Sequence, residues 1–234
     1  MTNDTIKIKV KQRLNKLDSS DYDNIMPWQI IESFNKGQTN WCRRNLVGTN
    51  MAKIGDEGSV RKIDDLQILL TTKNLNLAKN KKGFYSSQKL PLDYFQFKRI
   101  TATAKKECCD NRKIMVYLAQ EGDVDILLRD YNKKPSFEWS ETFATMFNNR
   151  IKIFTNDDFS IETGDLIYYR QPRRIQMIGV SDPYTGFIST TEVECEFKDD
   201  LVEMLIDECV KIIANDLQDQ LTSQSADNQI EINN

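Results

Sequence analysis

Residues 197–221, FKDDLVEMLIDECVKIIANDLQDQL, are the longest stretch of this chain with one unbroken helical period, and they constrain most strongly what it can fold into. Leu201, Leu205, Cys209, Ile212 with Ile213, Leu217 and Leu221 recur three and four apart, which puts them on one face of a helix. A second row, Val202, Ile206, Ile213 and Leu217 with Met204 beside it, widens the apolar stripe so that several neighbours can grip it. Asp199, Asp200 and Glu203 occupy the first turn, where the partial positive charge of a helix N-terminus favours carboxylates. The pattern predicts the central helix of a bundle.

Helical partners are expected near the start of the chain. Ile6, Val10, Leu14 and Leu17 stand at helical spacing among basic residues over residues 5–18, although Ile6, Ile8 and Val10 alone would also suit a strand. Pro27 opens a second helix that carries Trp28, Ile31, Phe34 and Trp41 to about Leu46 and ends at Gly48. Gly37 inside it costs about 1 kcal/mol relative to alanine, and close packing against another helix would explain it. A third helix is expected from Val60 to Thr71.

From Gly83 the texture changes to short runs rich in aromatic and β-branched residues. Strands are predicted at Tyr94 to Thr103, Lys113 to Leu118, Asn149 to Thr155, Asp165 to Arg170 and Arg174 to Val180. Turns are predicted at Asp110-Asn111, Gly122-Asp123, Asn156 to Asp158, Gly164-Asp165 and Asp182 to Gly186. Glu138 to Phe147 reads as one helix packing Trp139, Phe143 and Met146. The expected class is α+β: a helical bundle from residues 1–82 and the long helix of 191–221, a β-rich domain inserted at 83–190, and a tail, 222–234, too polar to pack.

Much chemistry is excluded by residue type. With no histidine, imidazole is missing from any triad, acid–base dyad or metal site. The nine glycines form neither GxxxxGK[ST] nor GxGxxG. Five cysteines, of which Cys108 and Cys109 are adjacent, make neither a paired disulfide framework nor a zinc spacing, so reduced thiols are expected and no cofactor. No apolar run approaches the roughly 20 residues of a membrane helix, and the polar N-terminus lacks the apolar core of a secretory signal.

Carboxylates are the remaining candidates for catalysis. Glu192, Glu194 and Glu196 alternate in TEVECEF and would share one strand face, where they could hold a divalent cation. Asp182, Glu196 and Lys198 loosely resemble the acidic pair and lysine of metal-dependent nucleases, with the Asp-Pro order reversed. A half-exposed strand explains the same glutamates. Lys98, Arg99, Lys105, Lys106, Arg112 and Lys113 form one basic group and Arg170, Arg173 and Arg174 another beside Tyr168 and Tyr169, which makes a non-specific nucleic-acid-binding module a further alternative.

Charge is unevenly distributed. From Glu196 onward there are ten acidic and two basic residues, while the whole chain has a net charge of only -3. Either copies of the chain meet basic part to acidic part, or the basic segments face a polyanion.

Six segments carry a resemblance: VKQRLNKLDSSDYDNIMPWQIIESFNKGQTNWCRRNL, VRKIDDLQILLTT, KPSFEWSETF, RIKIFTNDDFSI, LIYYRQPRRI and VECEFKDDLVEMLIDECVKIIANDL. With these the chain resembles head-to-tail connector proteins of crAss-like tailed bacteriophages, also called ring, neck or adaptor proteins. The resemblance implies a helical bundle with an inserted β domain, closed into a ring of twelve copies below the portal, without enzymatic activity. The partners it implies are the chain itself, the portal protein, a further neck ring or tail protein, and DNA passing through the lumen without sequence specificity, with no membrane. The place implied is the virion neck, after assembly in the host cytoplasm. Asp216 and Asp219 on the acidic side and Arg170, Arg173 and Arg174 on the basic side are the candidate subunit-interface charges. Gln229, Ile230, Glu231, Ile232, Asn233 and Asn234 are the candidate partner-binding tail, since the alternating isoleucines could add as a strand to a sheet edge or lie in a groove.

Overall fold

The computed structural model describes residues 1–15, 25–47, 64–80, 83–107, 109–181 and 186–216. The chain divides into two compact units, Leu69–Gln171 and Met1–Ile68 with Pro172–Asn234.

The first unit is a single curled sheet of eight strands. They are β1 (Leu70–Asn74), β2 (Leu77–Asn80), β3 (Phe84–Ser87), β4 (Tyr94–Lys106), β5 (Cys109–Leu118), β6 (Glu141–Phe147), β7 (Arg150–Phe154) and β8 (Ser160–Arg170), in the order β1-β8-β4-β5-β6-β7-β3-β2. Neighbours are antiparallel except β5 and β6, whose parallel pairing needs a crossover, here carrying the short helix α3 (Val124–Arg129). β1 and β2 stand at opposite ends of this order, yet only Leu75 and Asn76 separate them in sequence. The sheet must therefore curl until its edges meet. At that corner the Leu75 amide donates to the Gly164 carbonyl of β8 at 2.7 Å. A β-carbon on Gly164 would lie 2.9 Å from Leu77 Cδ1, so the absence of a side chain lets the β2 edge come in.

Period-two alternation gives the sheet two different faces. Tyr85, Ile100, Ala102, Ile114, Val116, Ile153, Leu166 and Tyr168 belong to the buried cluster that the sheet wraps around. On the opposite side of β3, β7, β6 and β5 runs a row of four rings. Phe84 lies 5.6 Å from Phe154, Phe154 4.8 Å from Phe143, and Phe143 6.0 Å from Tyr117, centroid to centroid. Such contacts add about 0.5–1.5 kcal/mol each beyond the area they bury.

The second unit holds the long helices α1 (Asn3–Asn15), α2 (Pro27–Val47) and α4 (Asp199–Asp216), with α2 and α1 both packed on α4. Ile6, Val10 and Leu14 of α1 are fully buried, as are Ile30 and Phe34 of α2 and Leu205, Ile206 and Cys209 of α4. The segment from Pro172 to Lys198 joins this unit, and its described residues form no regular strand and pair through isolated bridges at Gln176 with Val193 and Ser181 with Ile188.

This architecture overturns the expected helical bundle with an inserted β-rich domain. The molecule is a mixed α+β protein dominated by its eight-stranded curled sheet, and a bundle completed by a long C-terminal helix is not what forms. Three local corrections give the reason. The third helix does not reach Thr71: residues 64–66 are helical, Gln67–Leu69 tighten into a 3-10 turn, and Leu70–Asn74 is β1. Glu141–Phe147 is the central strand β6 instead of a helix, with Thr142, Phe143, Ala144 and Thr145 all buried between its neighbours. The supposed turns at Asp110-Asn111 and Gly164-Asp165 lie inside β5 and β8, and Arg174 to Val180 is not a strand. Residues counted as helix or loop thus supply sheet.

Candidate interaction surface

Two acidic side chains of α4 turn inward, while Asp199 and Asp200 at its start are exposed. Asp207 and Glu208 are only 5% and 6% exposed. Arg13 of α1 reaches across to the Glu203 carbonyl at 3.0 Å, to the Glu203 carboxylate and to Asp207 Oδ1. Lys9, one turn earlier, pairs with Glu203 as well. Arg44 near the end of α2 donates to Glu208 Oε2 at 2.8 Å, and the Met1 amino group to Asp199 Oδ1 at 2.7 Å. Burial pushes the Asp207 carboxyl above its usual range and Glu203 adds to the effect, against the pull of Arg13. The negative pole read from the sequence is therefore partly neutralised within the chain. Asp216, at the described end of α4, is exposed, and Asp219 lies outside the described residues.

Arg173 and Arg174 lie on the segment that returns from the sheet, and two asparagines hold that segment in place. Asn35 of α2 donates from Nδ2 to the Ile175 carbonyl at 3.2 Å and accepts the Ile175 amide at 2.8 Å, acting as one residue of a strand partner. Asn3 of α1 donates to the carbonyls of Gln176 and Val193, both at 3.0 Å, which ties together the two residues of the bridge. Gln38 follows Asn35 by one turn, donating to Asn35 Oδ1 at 3.1 Å. These polar side chains, buried in helices, were not singled out in the sequence. Their signal is an asparagine and a glutamine on the buried stripe of α2, where an apolar residue would pack unless a backbone needed a partner.

With the segment so pinned, a groove of about 370 Å³ opens between it and α2. Trp28, Ile31, Ile175, Met177, Val180 and Phe187 give it apolar walls, with Glu32 and Arg174 among the polar ones. A second hollow of about 250 Å³ shares Trp28 and Glu32 with it and is bounded by Lys36, Ile212, Ile213 and Asp216.

The candidate charges are not one group. Arg170 belongs to β8, where it donates to the Gln171 carbonyl, whereas Arg173 and Arg174 belong to the helical unit. The Arg173 amide donates to Glu196 Oε1 at 3.0 Å, and its guanidinium stands 3.9 Å from Glu196 Oε2. In the other basic group Lys105 pairs with Glu162 and Lys106 with Asp158, while Arg112 donates to the Phe137 and Glu138 carbonyls and lies over the Phe137 ring. Lys98 lies over Tyr169, and Tyr168 is buried with its hydroxyl donating to Asp93.

The nuclease-like residues have separate partners. Glu196 is engaged by Arg173, Lys198 pairs with Asp64 and lies 3.9 Å from Asp65, and Asp182 is outside the described residues. Nor do the three alternating glutamates share a strand face. Glu192 and Glu194 are exposed, the Glu196 side chain is only 10% exposed, and only Val193 among them pairs, in an isolated bridge. Among the described residues no group of three or more acidic or cysteine side chains is placed to hold a metal ion. Cys42, Cys195 and Cys209 are buried free thiols, and burial pushes Cys42 up to about 12 and Cys195 to about 11. Gln229, Ile230, Glu231, Ile232, Asn233 and Asn234 lie outside the described residues. Among the described residues no helix is long and apolar enough to cross a membrane. Set against family models and curated proteins, the chain matches none.

Proposed function

We propose that this protein is a structural subunit of a phage virion, a head-to-tail connector that closes into a ring with copies of itself. The ring extends the portal channel, lets DNA pass and offers a platform to the next neck or tail component. The observation that carries this reading is the opposite charge of the two compact units. Leu69–Gln171 holds seventeen basic and thirteen acidic residues, net +4, and the helical unit holds fifteen basic and twenty-two acidic, net -7. Pairing inside the helical unit does not change that sum, so an excess of negative charge remains for a neighbour. A subunit with two unlike charged parts suits heterologous contacts, which close into a ring when the rotation between copies completes a circle. The six sequence segments that resemble the connector family point the same way.

Native mass spectrometry across a salt series tests the proposal. A single closed oligomer at low salt, loosened as ionic strength rises, is the expected outcome. A monomer at every concentration and salt would contradict it. Incubation with DNA and magnesium or manganese separates this reading from the nuclease one, because a connector leaves the DNA intact.

A further inference from the structure

We infer that the groove between α2 and residues 174–181 and 187–189 is the docking site for the C-terminal tail of the same chain, with Ile230 and Ile232 on its apolar walls and Glu231 beside Arg174. The first argument is position. α4 is described to Asp216, and Asp216 itself bounds the smaller hollow that shares Trp28 and Glu32 with the groove. The chain beyond Asp216 therefore starts next to the site. Thirteen residues from Asp216 to Gln229 reach at most about 45 Å when extended, ample for a neighbouring groove on the same unit.

The second argument is chemistry. A groove lined in equal parts by apolar residues such as Trp28, Ile31 and Phe187 and by polar ones such as Glu32 and Arg174 suits a segment that brings apolar side chains on a polar chain, and Phe187 is 63% exposed. In a tail otherwise built of polar residues, Ile230 and Ile232 alternate, so an extended segment would turn both toward one surface. Charge agrees as well. Residues 217–234 contain Asp219, Asp227 and Glu231 and no basic residue, while Arg174 lines the groove and Lys36 the adjoining hollow. Recognition by an extended segment, with alternate side chains in pockets, is a known way for a groove to bind peptide. The inference concerns one chain alone and does not depend on the ring.

Placing the photo-crosslinking residue p-benzoylphenylalanine at position 230 of the full-length protein tests this. Irradiated at high dilution, the protein should give an intramolecular product, running as a monomer, whose joined peptide contains Trp28 or Met177. Phe187→Asp, a change at an exposed position that spares the core, should lower the yield about tenfold. Arg174→Glu should lower it too, and adding Glu231→Lys should restore it. Crosslinks found only in dimers or larger species would overturn the inference in favour of a neighbouring copy's groove. Crosslinks elsewhere on the chain, or a yield indifferent to Phe187→Asp in a protein with an unchanged melting curve, would overturn it outright.

Discussion

Gly37 of α2 faces Glu208 of α4 so closely that a β-carbon built on the glycine would stand 3.3 Å from Glu208 Cγ and 3.8 Å from the Cys209 nitrogen. The contact explains a glycine that helix propensity alone disfavours. It also seats Glu208 where Arg44 can reach it. Gly37→Ala gains about 1 kcal/mol of propensity and spends most of it displacing Glu208, so its stability should stay within about 1 kcal/mol of the native protein. Gly37→Val has a second branch to place and should lose about 1–3 kcal/mol. Urea titration of both variants checks the pair.

Arg13 and Asp207 should respond unequally to mutation. Removing the guanidinium in Arg13→Met leaves Asp207 buried beside Glu203 without its cation, at a cost of about 2–3 kcal/mol because the arginine itself is partly exposed. Asp207→Asn keeps the shape and removes a charge that burial already opposes, so it should cost far less. The raised carboxyl also fixes a sign. The folded state holds this proton more tightly than the unfolded chain, so Asp207 contributes a loss of stability as pH rises from the ordinary carboxylate range through its folded value. Asp207→Asn should abolish that component in denaturation curves taken across acidic pH.

Asp158 should behave in the opposite sense. Burial works against its ionised form, but hydrogen bonds from Lys106 at 2.7 Å and from the Phe137 amide at 3.1 Å prevail and hold the carboxyl below its usual range. A depressed carboxyl lends stability above the unfolded value of about 3.9, and this is lost as pH falls through the lower folded value. Acid should therefore weaken the sheet unit, and Asp158→Asn should flatten the acid limb of its unfolding. The signal is near-ultraviolet dichroism from the Phe137 and Phe159 rings, 6.2 Å apart.

Asn35→Ala should orphan the Ile175 amide and carbonyl together. An unsatisfied buried group costs about 1–3 kcal/mol, and here the loss falls on the segment that walls the groove. Hydrogen exchange should accelerate at Ile175 first, while Leu205 and Ile206 in α4 keep their protection.

The three long helices were legible because each has an apolar row at helical spacing; Ile6, Val10 and Leu14 are all fully buried as that row requires. Those rows alone do not decide the architecture. Glu138 to Phe147 carries Trp139, Phe143 and Met146 at near-helical spacing, yet Trp139 is 81% exposed and the stretch from Glu141 is strand. A local signal did exist: Asn148 and Asn149 both take positive φ, 49° and 58°, in a two-residue turn between Phe147 and Arg150. An Asn-Asn pair between apolar runs marks a hairpin as Asn-Gly does. Gly164 shows the converse failure. It looks like a turn from one dimension, and only the approach of Leu77 from the far edge of the sheet explains a glycine in mid-strand. The inward turn of Asp207 and Glu208 was equally hidden, since their arginines lie 194 and 164 residues away in sequence. Contacts at such separation leave no trace in spacing.

Electron microscopy of the purified full-length protein, alone and mixed with portal particles, bears most directly on the proposed function. Closed rings of a single copy number that seat on the portal, with the channel continuous through both, are the predicted result. Dispersed single subunits that neither close into rings nor join the portal would contradict the connector reading.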